Sequence, residues 1–177
     1  MLKQAPTFEK ELLTETVIVK GSKEYPITPA FLENCVEQYR RMKSCGLTVN
    51  VHSGHNHTPE TKRGEVLDIY LKKKKNGRTG LFGKIVFLPH LPKEMIKTLV
   101  NNDVSVELPK ELYDASGNTY TFPVQRVAIT PDPAVRGMSP FVQQRDTPMS
   151  VPFLTLSINN LNKEITMPNE EELFDPQ

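Results

Sequence analysis

Leu47-Thr48-Val49-Asn50-Val51-His52-Ser53-Gly54-His55 alternates apolar and polar residues until it breaks at Gly54. A period of two is the mark of a half-buried strand, so this stretch reads as a strand that delivers His55 at its end. Asp103-Val104-Ser105-Val106-Glu107 carries the same pattern, with Ser105 on one face beside Asp103 and Glu107. A serine and a histidine carried on strands of one small β-rich domain are the minimal parts of a hydroxyl nucleophile and its base. A chain of 177 residues contains many serines, so the weight of the pair rests on its surroundings.

Upstream, Thr14 to Lys20 reads as a first strand closed by Gly21-Ser22. Thr28-Pro29 then opens a helix, because Thr suits the N-cap and Pro the first helical position. Leu32, Cys35, Val36, Tyr39 and Met42 follow at helical spacing, and Gly46 stops the run. Downstream, Thr58 to Lys62 reads as a loop. Glu65–Lys72 and Leu81–Leu88 form a hairpin about Asn76-Gly77. A short amphipathic helix is expected from Pro92 to Asn101, then a strand over Val104–Leu108 ended by Pro109. Asp114–Asn118 reads as a turn. Tyr120–Ile129 has a strand pattern in which Pro123 implies an edge or a bulge. From Pro131 onward the prolines multiply and periodicity is lost, and the acidic stretch Asn169–Asp175 closes the chain. The organisation expected is one domain over residues 1–138 and an extended Pro-rich, acidic arm over 139–177.

The length allows one domain with a substantial core. Net charge is +1, with 37% hydrophobic residues, so bulk electrostatics favour neither nucleic acid nor an anionic membrane. Lys72-Lys73-Lys74-Lys75 and Arg78 surround the hairpin turn and are expected to be solvated there. No run approaches the roughly 18 apolar residues of a membrane span. Met1–Pro6 lacks the apolar core of a secretory signal. Cys35 and Cys45 fall on the one predicted helix, about 15 Å apart at 1.5 Å per residue, too far for a disulfide. Free thiols without an export signal point to a reducing, cytosolic compartment.

His52, His55 and His57 form His-x-x-His-x-His, three of the chain's four histidines. In a strand His55 and His57 share a face and His52 faces away, so a zinc site would require a bend at Gly54. No cysteine lies nearby, and neither a metal nor a cofactor is expected. Asp132, in Thr130-Pro131-Asp132-Pro133-Ala134, suits a turn held by two prolines.

Order and spacing of blocks add to this. An early strand is followed by a helix beginning Ile27-Thr28-Pro29-Ala30-Phe31-Leu32. A strand ends in Gly54-His55, then come Gly64-Glu65-Val66 and Gly80-Leu81-Phe82-Gly83. After the amphipathic helix comes Ser105-Val106-Glu107-Leu108, then Val127-Ala128-Ile129-Thr130-Pro131-Asp132-Pro133-Ala134. Taken together, Val17 to Met138 resembles the Mu-like prohead proteases of tailed bacteriophages, which belong with the herpesvirus assemblin-type serine proteases.

That resemblance implies an α+β fold: a mostly antiparallel β-barrel core with a few flanking helices, assemblin-like, and a C-terminal arm. It implies a serine endopeptidase with Ser105 as nucleophile and His55 as general base. The family's third member, a histidine or an acidic residue, has Gln125-Arg126 in its place here. Asp132 stands in for it, with Glu65 and Glu107 as alternatives, and Arg136 is a candidate oxyanion donor. The implied activity is capsid maturation inside the prohead in the host cytoplasm, with self-processing. Scaffolding protein and the N-terminal segment of the major capsid protein would be its substrates and partners, and a homo-oligomer is expected. The alternative is an inactive protease-fold component of the phage head, and a metal-dependent hydrolase built on the histidines is a third possibility.

Overall fold

The alternation over Lys62–Lys73 and the apolar run Leu81-Phe82-Gly83-Lys84-Ile85-Val86-Phe87 build the longest strand pair, as the hairpin signal implied. The turn between them needs a left-handed residue, and Gly77 supplies φ of +80°. The computed structural model describes residues 5–144, so residues 145–177 of the expected arm lie outside the described part.

The strands are β1 (Thr7–Thr14), β2 (Thr16–Lys20), β3 (Lys23–Ile27), β4 (Val49–Ser53), β5 (Lys62–Lys73), β6 (Thr79–Phe87), β7 (Asp103–Glu107), β8 (Glu111–Tyr113), β9 (Thr119–Thr121), β10 (Arg126–Thr130) and β11 (Val142–Gln143). The helices are α1 (Pro29–Ser44) and α2 (Lys93–Val100). Seven strands make one sheet in the order β11-β1-β6-β5-β4-β10-β7, antiparallel throughout except for the β4–β10 pair. The class is α+β, as expected, with a curled sheet as its centre. The curl brings β1 toward β7, where Lys10 meets Asp103 at 2.6 Å.

Helix α1 begins as its sequence dictates, with Thr28 Oγ1 accepting from Phe31 N–H at 3.1 Å and Pro29 at the first position. It buries Leu32, Cys35, Val36, Tyr39 and Met42 against the sheet, and the Tyr39 hydroxyl donates to Val66 O at 3.1 Å. Cys35 is buried and Cys45 exposed, and both thiols are free.

Three expectations are corrected. The strand expected over Thr14–Lys20 is two elements, and its upstream neighbour β1 was not anticipated, because Glu9-Lys10-Glu11 reads as surface. β1 is buried on both faces. Tyr120–Ile129 splits into β9 and β10, because Pro123 has no N–H for the ladder and Phe122 before it turns to φ of 47°. The third concerns the boundary at 138. Residues 139–144, assigned to the arm, carry β11, which pairs with β1, and Phe141 packs edge-on against Phe8.

Two buried charges hold that return. Lys10 donates to Ser139 O at 2.7 Å as well as pairing with Asp103. Glu11 accepts from Ser139 N–H at 2.5 Å and pairs with Lys74 at 2.9 Å. Burial by itself would raise the Glu11 carboxyl, but the Ser139 N–H and Lys74 outweigh it and hold the group below its ordinary 4.5. Its contribution is therefore present above pH 4.5 and is lost as pH falls through the lower folded-state value. Lys72 pairs with Glu9 at 2.7 Å, so two lysines of the hairpin cluster tie down β1 and are not simply solvated.

Gly64 is a point of close approach: a Cβ there would stand 2.1 Å from Val86 O across the β5–β6 ladder. Backbone cannot yield as a flexible side chain can. Gly64→Ala is expected to cost about 2–3 kcal/mol, read as a lowered urea midpoint at unchanged m-value.

Candidate active site

Ser105 lies at the middle of β7, an outer strand of the main sheet. In register it faces Ala128 of β10, and Ala128 in turn faces His52 of β4. Residues in one lateral row of a sheet project from the same face, so Ser105, Ala128 and His52 share a surface. Neighbouring strands lie about 4.8 Å apart, which puts the outer two backbones about 10 Å apart with only a methyl group between them. The next row on the same face is Asn50, Arg126 and Glu107.

Val49 and Val51 are fully buried on the core side of β4. That anchors the strand and sends His52 to the opposite side, where it is 6% exposed. Its Nδ1 lies 3.0 Å from Thr61 Oγ1. The Thr61 hydroxyl is within donating reach of Asn56 O, at 2.6 Å, and of Thr58 O, and its oxygen accepts from Thr58 N–H at 3.2 Å. With the hydroxyl proton on one of the carbonyls of Asn56 and Thr58, the oxygen is an acceptor for His52, which assigns the proton of the neutral imidazole to Nδ1. Nε2 is left as the basic atom. Burial lowers the affinity of His52 for a second proton below the ordinary 6.5, and His57, Arg126, Lys62 and Arg63 push the same way. At neutral pH the ring is uncharged.

The chain leaves β4 through Gly54, whose φ of +76° supplies the bend that the histidine motif called for. His57 returns against His52, the rings edge to face at 5.2 Å. His57 Nε2 sits 3.1 Å from Glu107 Oε2, and Arg126 reaches the same oxygen at 3.3 Å. His55 is exposed and lines the rim of a cleft of about 400 Å³ whose walls include His57, Ser105, Glu107, Arg126 and Lys20. The Ser105 oxygen accepts from Ala134 N–H at 3.0 Å, which leaves its own proton for another acceptor.

Ser105 and His55 are thus brought to one cleft, while the lateral row aligns Ser105 with His52. Asp132 is not brought to that cleft. Its carboxylate is 80% exposed and paired with Arg136, which lines a separate hollow beside Asn101 and Asn102. The two prolines flanking Asp132 turn the chain outward before Ala134 folds back. Glu65 pairs with Lys62 at 2.8 Å. Of the carboxylates considered, Glu107 is the one in contact with a histidine of the cleft. Among the described residues, no group of three or more His, Cys, Asp or Glu is arranged to hold a metal ion. None of the described helices is long and apolar enough to cross a membrane. Sequence reasoning weighed His52 only as a metal ligand, and it did not single out Thr61 or Ala134. The alternation through Val49, Val51 and His52 was the available signal for the first; nothing local marks the other two.

No known protein family matches the chain, and no curated protein does either. Among solved structures it is similar to the varicella-zoster virus protease at 17% identity and a TM-score of 0.40, over 90% of this chain and 80% of that one.

Proposed function

We propose that this protein is a serine hydrolase of peptide bonds, with Ser105 as nucleophile and His52 as the base that serves it. The single observation that carries the reading is the row Ser105–Ala128–His52 on one face of the sheet, of which Ser105 and Ala128 line a cleft. The buried, neutral imidazole with its proton held on Nδ1 gives Nε2 the task of taking the Ser105 proton as Oγ attacks the carbonyl carbon. The same proton then passes to the leaving nitrogen as the C–N bond breaks, and water repeats the sequence on the acyl-serine. Ala134 N–H, 3.0 Å from Ser105 Oγ, is a donor beside the point of attack and serves the oxyanion that develops there. Thr61 Oγ1 takes the place considered for Asp132 by holding Nδ1 of His52, while Glu107 pairs with His57, whose ring lies edge to face against His52.

The sequence blocks from Val17 to Met138 support a narrower setting: maturation of a phage prohead, cutting scaffold and capsid-protein segments, with the enzyme concentrated inside a closed shell. High local concentration would let a slow catalyst suffice there.

Treatment of the full chain with a fluorophosphonate, followed by peptide mass mapping, tests the chemistry. A single adduct at Ser105, absent from Ser105→Ala, is expected. Failure to label Ser105 would leave the inactive, structural reading in its place.

A further inference from the structure

Ser105 borders two adjoining hollows, together with Lys20, Val106, Leu108 and Ala134. On one side is the polar cleft that holds His55, His57, Glu107 and Arg126. On the other is a smaller recess of about 140 Å³, walled mainly by Leu12, Leu13, Ile18, Val104, Val135 and Met138. Its floor belongs to the core: Val104 is fully buried, and Leu12 and Leu13 are 1% and 2% exposed. The one charged side chain on its wall, Lys20, is exposed and also borders the polar cleft.

We infer that this recess receives the side chain of the substrate residue that contributes the scissile carbonyl, and that it selects an aliphatic one. The inference rests on Ser105 being the nucleophile. Its polarity follows from proton traffic. The leaving nitrogen must take its proton from His52, which lies across β10 from Ser105 and packs against His57 of the polar cleft, so the leaving half of the substrate lies toward that cleft. The acyl half stays attached to Oγ, and its nearest side chain falls on the opposite side of Ser105, into the apolar recess. A dry apolar cavity of about 150 Å³ can hold a molecule the size of benzene, about six carbon atoms. Val, Leu, Ile and Met fit that limit. An indole exceeds it, and a carboxylate or an ammonium would lose its water with no partner inside.

The test uses the full chain and a set of peptidyl diphenyl phosphonates that differ only in the side chain next to phosphorus: Ala, Leu, Met, Trp, Lys and Glu. The Ser105 oxygen attacks phosphorus and a phenoxide leaves, so the rate of adduct formation reports the fit of that side chain. Leu and Met are expected to label Ser105 about 10-fold or more faster than Ala, and to exceed Lys, Glu and Trp by about 100-fold, as apolar pockets discriminate. Ile18→Ala should enlarge the recess and raise the Trp rate, whereas Ile18→Phe should move the optimum to Ala. Equal rates across the set, or a preference for Lys or Glu, would overturn the inference while a fluorophosphonate adduct at Ser105 kept the proposed chemistry standing. If neither the set nor the fluorophosphonate labels Ser105, the proposed chemistry fails and this inference with it.

Discussion

Peptide hydrolysis should fall by about 10³-fold or more in both Ser105→Ala and His52→Asn, as it does when either member of a nucleophile–base pair is removed. Asn is the useful replacement at 52, because its amide offers a donor near the Nδ1 position for Thr61 while removing the basic nitrogen. The double variant should be no worse than either single one, since two residues acting as one unit lose their effect once. His55→Gln is expected to keep activity within a few-fold, because that ring is exposed at the rim of the cleft. The opposite result, with His55→Gln inactive and His52→Asn active, would return the role of base to the residue that ends the Gly-His pair.

The pH profile carries a sign that follows from burial. With the folded-state value of His52 held below 6.5, the basic form persists into mildly acidic solution, and the acid limb of kcat/KM should lie below pH 6.5. The same shift acts on stability. Between 6.5 and the lower folded value the unfolded chain binds more protons than the folded one, so unfolding free energy should decline as pH drops through that window. The decline should vanish in His52→Asn.

Lys10→Ala is expected to cost about 3–5 kcal/mol, because it leaves Asp103 and the Ser139 carbonyl facing a buried gap without their cation. Lys10 is 1% exposed and contacts both at 2.6 and 2.7 Å. Against a total of about 5–15 kcal/mol, such a loss would leave a marginal fold, visible as a large drop in the denaturant midpoint. A pair this enclosed is poorly screened, so the deficit should persist in 1 M salt, where the Debye length is about 3 Å and a surface pair would have lost its effect. Combining Lys10→Met with Asp103→Leu should recover much of the stability, since an apolar pair of similar volume can replace a buried ion pair. A deficit under about 1 kcal/mol for Lys10→Ala would mean that the curl of the sheet does not depend on this contact.

Helix α1 was legible because its start, its apolar stripe and its Gly46 stop lie within one stretch of chain. The β5–β6 hairpin was legible for a similar reason: Asn76-Gly77 is a turn whatever surrounds it. Strand β1 was not, because Glu9, Lys10 and Glu11 look like a solvated run until Lys74, Asp103 and Ser139 arrive from distant parts of the chain to neutralise them. Asp132 was drawn to the site as a substitute for the third member that Gln125-Arg126 cannot supply. The turn that carries it instead ties it to Arg136 at the surface.

The amino-acid sequence alone marked the strands that hold Val49–Val51 and Val104–Glu107, since alternation within a strand is a local property, and it drew attention to Ser105 only together with the order of the surrounding blocks. Which histidine shares a lateral row with Ser105 was decided only by the tertiary structure. His52 and His55 are three positions apart on one stretch, and the choice between them is made by lateral register through Ala128 of β10, more than seventy residues further along. Pairing of that kind depends on how distant segments align, and no pattern inside either segment encodes it.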